Sequence, residues 1–178
     1  MQPPSLTGAP MTITAHRVSV PVFVQGLKGL SGVLAKAAAH VEERKLDPEA
    51  LLKARLYPDM FPLIRQVQIA TDFAKGASAR LAGVEVPAWD DVETSFADLS
   101  ARVDRAIAYV EGLDPAAFEG AENREVALTR RGETTHHNAL DYLTGQALPN
   151  FYFHLTTAYG ILRESGVVLG KRDFLGAA

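Results

Sequence analysis

The sequence predicts an all-α protein: a four-helix bundle with short connecting helices and a small β-hairpin before the last helix. Apolar residues recur at intervals of three and four in four long segments, which is the period of an α-helix. One segment, 123–137, breaks this pattern with β-branched residues around a glycine. The chain has 178 residues, 47% of them hydrophobic, so one core can bury about 70% of the unfolded chain's surface. Helices with one apolar face each bury those faces most simply against one another.

The composition excludes several classes of protein. The chain has no cysteine, which rules out disulfides, thiolate zinc sites and a cysteine nucleophile. A formal net charge of −3 argues against nucleic acid or an anionic membrane as the main partner. No uninterrupted apolar run approaches the ~20 residues of a membrane span. Residues 1–13 lack the basic and apolar regions of a secretory signal, so we expect a flexible leader, one domain over 14–176 and a cytoplasmic protein.

The first long helix is predicted over 16–44. Pro21 falls in its first two turns, where a proline costs least. Three glycines, Gly26, Gly29 and Gly32, each cost about 1 kcal/mol relative to alanine inside a helix. We therefore expect them to let a neighbouring helix or an aromatic ring approach closely.

The second and third long helices are predicted over 59–82 and 95–112. Asp59, in a Tyr-Pro-Asp turn, is the expected N-cap of the second helix. Either Thr94 or Ser95 can cap the third helix. Short connecting helices or turns are expected after each of the two Asp-Pro pairs, at 47–48 and 114–115.

A small β-hairpin is predicted before the last helix. Residues 124–129 and 133–136 form short runs on either side of Gly132, the expected turn glycine. Because an isolated hairpin is marginally stable in water, we expect it to pack on the helices.

The fourth long helix is predicted over 139–164, with Asn138 as its N-cap. Pro149 should kink or split this helix, because proline lacks the N–H that a helix interior needs. We expect three apolar residues of the C-terminal segment to pack onto the bundle: Val168, Leu169 and Phe174.

Polar side chains on the apolar faces of the second and fourth helices are the candidate site, because chemistry in a helical bundle comes from inward-pointing polar groups. Gln66 lies on the apolar face of the second helix. Asn150 and His154 are four residues apart and share one face of the fourth. If the two helices face each other, the three side chains converge in a concave pocket. The remaining pocket candidates are Asp59, Tyr152 and Tyr159.

Structural roles for the same residues stay open. A histidine on an apolar face is often bonded to a carbonyl or hydroxyl, and buried amides often fix helix register. The sequence also contains no phosphate-binding loop, no nucleophile elbow and no zinc-protease motif. Whether the protein is an enzyme is therefore not decided by motifs.

Two segments, LYPDMFPL at 56–63 and PNFYFH at 149–154, resemble the DUF1993 family of uncharacterised bacterial proteins. Together with VPVF at 20–23, the likeness covers roughly 14–176. That family is similar to the DinB/YfiT-like proteins, so the resemblance implies a four-helix bundle of DinB topology.

The resemblance also implies a metal site that has degenerated. DinB-like relatives hold a metal with one histidine on the second helix and an H-x-x-x-H pair on the last. Placed on this chain, those positions fall on Gln66, Asn150 and His154, so His154 is the only retained histidine candidate. Amide oxygens are weak ligands for zinc or nickel, and Asp59 lies roughly 10 Å from Gln66 along the helix. A divalent metal is therefore possible but not favoured, and the cofactor is unknown.

Three functions fit these observations. The first, which we favour, is a small-molecule binding or vestigial-enzyme protein with a polar pocket around Gln66, Asn150 and His154. The second is a metal-dependent transferase or hydrolase of the DinB type, with His154 as ligand or base. The third is a structural protein whose role is dimerisation. We expect a homodimer, a possible small-molecule ligand, and neither a nucleic acid nor a membrane as partner.

Overall fold

The computed structural model describes residues 13–130 and 132–176, and four long helices dominate this part of the chain. The predicted leader, 1–13, lies outside the described residues apart from Ile13. The mostly helical fold with one small hairpin is confirmed. The long helices are α1 (Ala15–Arg44), α3 (Leu63–Ala82), α4 (Phe96–Glu111) and α6 (Leu148–Glu164). The short elements are α2 (Pro48–Leu52), 3₁₀ turns at Pro115–Phe118 and Ala121–Asn123, strands β1 (Glu125–Arg130) and β2 (Glu133–Asn138), α5 (Ala139–Tyr142), a π-helical turn at Leu143–Ala147, and α7 (Lys171–Phe174).

The long helices pack on one another through their apolar faces. The most extensive contacts are those of α3 with α6, α1 with α4, and α3 with α4, while α1 also contacts α3, α6 and α7. Phe23 of α1 and Phe151 of α6 are fully buried and meet edge to face, with ring centroids 5.0 Å apart. The α3–α6 pairing brings Gln66 and His154 to one interface.

Two of the three glycines in α1 make room for a neighbour, as expected. A Cβ on Gly26 would lie 2.6 Å from the ring of Phe151, and one on Gly29 would collide with the backbone carbonyl of Phe174. Gly32 has nothing within 4 Å of such a Cβ, so the expectation was wrong at that position. The glycines at 26 and 29 therefore set the approach of α6 and α7 to α1.

Helix α1 is also apolar along its length. By length and composition alone it could cross a membrane, with a mean hydropathy of 1.4 over its most apolar 18-residue window. Half of that window is buried inside the protein, and the core helix of a soluble protein meets the same criterion. This is weak evidence for a membrane span.

Helix α3 begins at Leu63, so the predicted start at residue 59 was wrong. Its N-cap is Pro62, which makes no side-chain capping bond, and Asp59 lies exposed in the preceding turn. The physical reason is the proline itself, because a residue that precedes proline, here Phe61, is disfavoured in the helical region. The sequence contained this signal, and the Asp59 cap was the wrong interpretation of it.

Helix α4 is capped by Ser95 rather than Thr94. The Ser95 hydroxyl accepts a hydrogen bond from the backbone N–H of Asp98 (3.1 Å), and the Asp98 carboxylate accepts one from the backbone N–H of Ser95 (3.0 Å). This reciprocal pair satisfies two of the free donors at the helix start.

The hairpin is confirmed, and it packs on the helices as expected. Strands β1 and β2 pair antiparallel, with Val126 opposite His137 and Leu128 opposite Thr135. Val126 and Leu128 are buried, whereas Thr129 is exposed. One face of the hairpin therefore joins the core.

The last long helix is interrupted before Pro149. Asn138 caps α5, as predicted. The π-helical turn then separates α5 from α6, and Pro149 lies in the first turn of α6. Pro149 cannot donate to the carbonyl four residues earlier, which explains why the α-helical ladder breaks here.

The C-terminal segment packs on the helices with one difference from expectation. Leu169 is buried and Phe174 is half-buried, as predicted. Val168 is 81% exposed, and its neighbour Val167 is buried instead.

Candidate functional site

Gln66 and His154 form a buried pair at the interface of α3 and α6. His154 Nδ1 lies 2.7 Å from Gln66 Oε1. Gln66 is 1% exposed and His154 is 8% exposed. These residues are 88 positions apart in the chain, so the predicted convergence of the two helices is correct for this pair.

The neighbours of Gln66 fix the tautomer of His154. Gln66 Nε2 donates to the backbone carbonyl of Phe61 at 3.0 Å. That bond directs the amide oxygen toward His154, and an amide oxygen can only accept. Nδ1 of His154 therefore carries the proton, and Nε2 presents its lone pair without a hydrogen-bond partner among the described residues.

Two aromatic rings enclose the imidazole of His154. Phe73 stacks on it with an interplanar angle of 18° and a centroid distance of 6.0 Å, and Phe153 meets it edge on at 5.2 Å. Burial lowers the pKa of His154 below its ordinary value, and the positive charge of Arg65 lowers it further. Both effects disfavour the imidazolium, so His154 is neutral at pH 7.

The other predicted site residues do not join this pair. Asn150 is half-buried, and its Nδ2 donates to the carbonyl of Gln146 in the preceding turn, at 2.7 Å. Tyr152 is 41% exposed and Tyr159 packs edge to face on Phe174. Asp59 is exposed in the turn before α3.

The family of the chain follows from comparison with known proteins. The model of a domain of unknown function, DUF1993, matches residues 15–175. The chain belongs to the DUF1993 family. Among solved structures, a DinB family member protein from Shewanella denitrificans is 42% identical, with 92% of each chain covered and a TM-score of 0.85. None of the curated proteins matches the chain.

The residues of this DUF1993 protein do not fit the three-histidine metal site that its resemblance to DinB-like proteins implies. Of the three positions only His154 is an imidazole, the Gln66 amide is bonded on both ends, and the amide nitrogen of Asn150 is bonded to its own helix. Within 13–130 and 132–176, no three His, Asp or Glu side chains are grouped so that they could hold a metal ion. A single neutral imidazole is a weak site for zinc or nickel. The donor set therefore disagrees with a tightly held metal.

The pocket predicted between the second and fourth long helices of this DUF1993 protein stays a prediction. Two cavities, of about 560 and 450 Å³, lie elsewhere. The first is bounded by the loop before α4 and by α4 itself, and the second by the start of α1 and the 3₁₀ turns. Gln66, Asn150 and His154 line neither of them.

Sequence reasoning missed a charged cluster centred on Arg102 of α4. Arg102 is 4% exposed. Its Nε donates to Thr71 at 2.8 Å, and its terminal nitrogens pair with Glu93 (2.9 Å), Asp91 (3.0 Å) and Asp72 (3.1 Å). These partners come from α3 and from the loop before α4, so Arg102 ties three elements together.

The same cluster borders the 560 Å³ cavity. Burial alone would raise the pKa of Glu93, but hydrogen bonds from Arg102 and Gln68 hold it below its ordinary value. The Trp89 ring lies under the guanidinium of Arg105, 4.2 Å from centroid to Cζ. The signal in the sequence that could have revealed this cluster was Arg102 itself, a charged residue three positions after Leu99 on an otherwise apolar helix face.

Proposed function

We propose that this DUF1993 protein is a small-molecule binding or vestigial-enzyme protein whose polar anchor is the Gln66–His154 pair. One observation supports this most strongly. The Phe61 carbonyl holds the Gln66 amide so that His154 is protonated at Nδ1, and Nε2 keeps a lone pair that no described residue uses. Nε2 is not among the fully buried polar atoms that lack a partner, so a molecule arriving from solvent can reach this lone pair.

The surroundings suggest the kind of ligand. A neutral Nε2 accepts a hydrogen bond or a proton, so it suits a ligand with an O–H or N–H donor. The rings of Phe73 and Phe153 supply an apolar setting for the rest of the molecule. In a vestigial enzyme, the same nitrogen would serve as a general base.

The architecture and the cellular setting belong to the same proposal. The pairings of α1, α3, α4 and α6 support a four-helix bundle of DinB type. A formal net charge of −3 and an acidic pI disfavour nucleic acid and anionic membranes as partners, and a cytoplasmic location is part of the same proposal.

The test is a thermal-shift screen of a metabolite library on the full chain, followed by titration of each hit. Binding only to the native state raises the melting temperature with ligand concentration. His154→Asn should abolish the shift for genuine hits. His40→Asn is the matched control, since His40 lies half-buried in α1 away from the pair. Hits that stabilise the His154 variant as well as wild type would refute the proposal.

A second candidate, dimerisation, is favoured by exposed apolar side chains beside the pair. The turn before α3 and the start of α6 carry five of them: Leu56, Tyr57, Phe61, Tyr152 and Phe153. Exposed apolar side chains grouped in this way are typical of protein interfaces. Light scattering should then give a dimer mass for wild type, and Tyr57→Glu should reduce that mass. Val84→Glu is the control, because Val84 is exposed just beyond the opposite end of α3, and it should leave the mass unchanged. A monomeric mass for wild type excludes this candidate.

A further inference from the structure

A groove of about 150 Å³ lies between α3, β1 and α5, separate from the Gln66–His154 pair. The hairpin and α5 contribute Leu128, Thr129 and Tyr142, and α3 contributes Asp72, Phe73 and Arg80. Phe73 separates this groove from the Gln66–His154 pair, because its ring lines the groove and also stacks on His154. The groove holds opposite charges, from Asp72 and Arg80, above an apolar floor.

The position of the Arg80 guanidinium depends on a glycine. A Cβ on Gly76, one helical turn earlier, would lie 2.7 Å from a terminal nitrogen of Arg80. The Arg80 side chain therefore folds back along α3, away from the helix C-terminus. A basic residue in the last turn ordinarily interacts with the last carbonyls, and this geometry points the charge toward the groove instead. A buried glycine in the middle of a helix costs about 1 kcal/mol relative to alanine. Here the absence of a side chain at Gly76 leaves room for the Arg80 guanidinium.

Arg80 has no acidic partner among the described residues. Among those residues, the Arg80 guanidinium interacts with the ring of Tyr142: its Cζ lies 6.0 Å from the ring centroid. Nearby Asp72 is engaged at one oxygen, because Lys75 (2.9 Å) and Arg102 (3.1 Å) both bind Oδ1. Oδ2 of Asp72 is left without a partner in this part of the chain. The groove thus contains one guanidinium and one carboxylate oxygen that solvent reaches and that no acidic or basic side chain of the described residues occupies.

The spacing of these groups selects a ligand class. Gly76, beside the Arg80 guanidinium, is four residues from Asp72, which is about 6 Å along the helix. A guanidinium binds a carboxylate through paired N–H donors. The Asp72 oxygen would accept a hydrogen bond from a donor on the adjacent carbon. Phe73 and Leu128 leave room for a short apolar side chain.

We propose that this groove binds a small 2-hydroxy or 2-amino carboxylic acid, with its carboxylate on Arg80 and its hydroxyl or ammonium on Asp72. The proposal does not depend on ligand binding at His154. In the assay below, the amide signals of Gly76 and Thr129 report the groove, whereas the imidazole signals of His154 report the other site. Failure of one site is therefore distinguishable from failure of the other.

The experiment is an NMR titration of the isotope-labelled full chain with L-lactate, L-alanine and propionate. Lactate or alanine should shift the Gly76 and Thr129 amides with a dissociation constant in the millimolar range, as expected for about six non-hydrogen atoms. Preference for lactate would identify a hydroxyl on Asp72, and preference for alanine an ammonium. Either preference supports the site. Propionate lacks the donor and should bind at least fivefold more weakly, so equal affinity for propionate would overturn the ligand class.

Two variants test the role of Arg80. Arg80→Gln should weaken binding at least tenfold, because it removes a charged hydrogen-bond pair. Gly76→Ala keeps the charge and favours the helix, yet its Cβ displaces the guanidinium and should weaken binding several-fold. Arg172→Gln, in exposed α7, is the matched control and should bind as wild type does. Unchanged affinity in both variants, or no shift of the groove amides in wild type, would overturn the proposal.

Discussion

Replacing Gln66 with leucine tests the pair at the α3–α6 interface most informatively. The substitution removes the acceptor of the His154 Nδ1–H bond (2.7 Å) and the donor to the Phe61 carbonyl (3.0 Å). A buried donor left without a partner costs about 1–3 kcal/mol. Phe61 is itself exposed, so its carbonyl can bind water and adds at most about 1 kcal/mol. Apolar burial of leucine offsets part of this, and we expect a net loss of about 1.5–3 kcal/mol.

The assay is urea unfolding of a double-mutant cycle, followed by circular dichroism. The cycle contains Gln66→Leu, His154→Leu and the double variant. Each single variant leaves one residue of the pair without its hydrogen-bond partner, whereas the double variant removes both residues. We therefore expect a coupling free energy of about 1–2 kcal/mol. Gln146→Leu is the control, because that half-buried amide nitrogen makes only long contacts of 3.4 Å to His137. A coupling energy below about 0.3 kcal/mol would refute the reasoning.

Three further predictions follow from single features of the structure. Since burial lowers the pKa of His154 in the folded protein, the unfolded chain binds the proton more tightly. The free energy of unfolding should therefore fall as the pH drops below the unfolded pKa of about 6.5. Urea titrations from pH 8 to pH 5 should show a shallower dependence of this free energy on pH in His154→Asn than in wild type. Gly26→Ala should lower the melting temperature because its Cβ meets an aromatic ring at 2.6 Å, whereas Gly32→Ala, in open space, should raise it through helix propensity. Arg102→Met should cost about 2–3 kcal/mol in urea unfolding, because it removes the buried guanidinium that pairs with the partly buried Glu93 and donates to Thr71. Arg105→Met, at an exposed position of the same helix, should cost less than about 1 kcal/mol. An unchanged pH dependence in His154→Asn would contradict the first prediction. Melting-temperature changes of the same sign in both glycine variants would contradict the second. Equal losses of unfolding free energy in both arginine variants would contradict the third.

Local signals in the sequence predicted the elements that local physics determines. The helical period of α1, a cap of α4 at Thr94 or Ser95 and the hairpin around Gly132 depend on neighbours within a few residues. The structure contains all three, with Ser95 as the cap. The start of α3 was missed because Asp59 was given more weight than Pro62. The interruption at Pro149 was predicted, but whether it forms a kink or a π-helical turn depends on how α6 packs.

The candidate site was predictable only where two residues point across one interface. Gln66 and His154 meet because α3 and α6 pack together, and their apolar faces indicated that. Asn150 shares a face with His154 but bonds to its own helix, since an amide four residues from a carbonyl can always make that local choice. Arg102 was missed because its partners come from an irregular loop, which periodicity does not describe.

The protonation state of His154 is the property on which the proposed anchor depends most, and long-range ¹⁵N–¹H correlation of its imidazole at pH 7.5 measures it directly. The structure predicts a neutral ring with the proton on Nδ1 and an unprotonated Nε2, because Gln66 Oε1 must accept. A proton on Nε2, or an imidazolium at this pH, would contradict the proposed anchor.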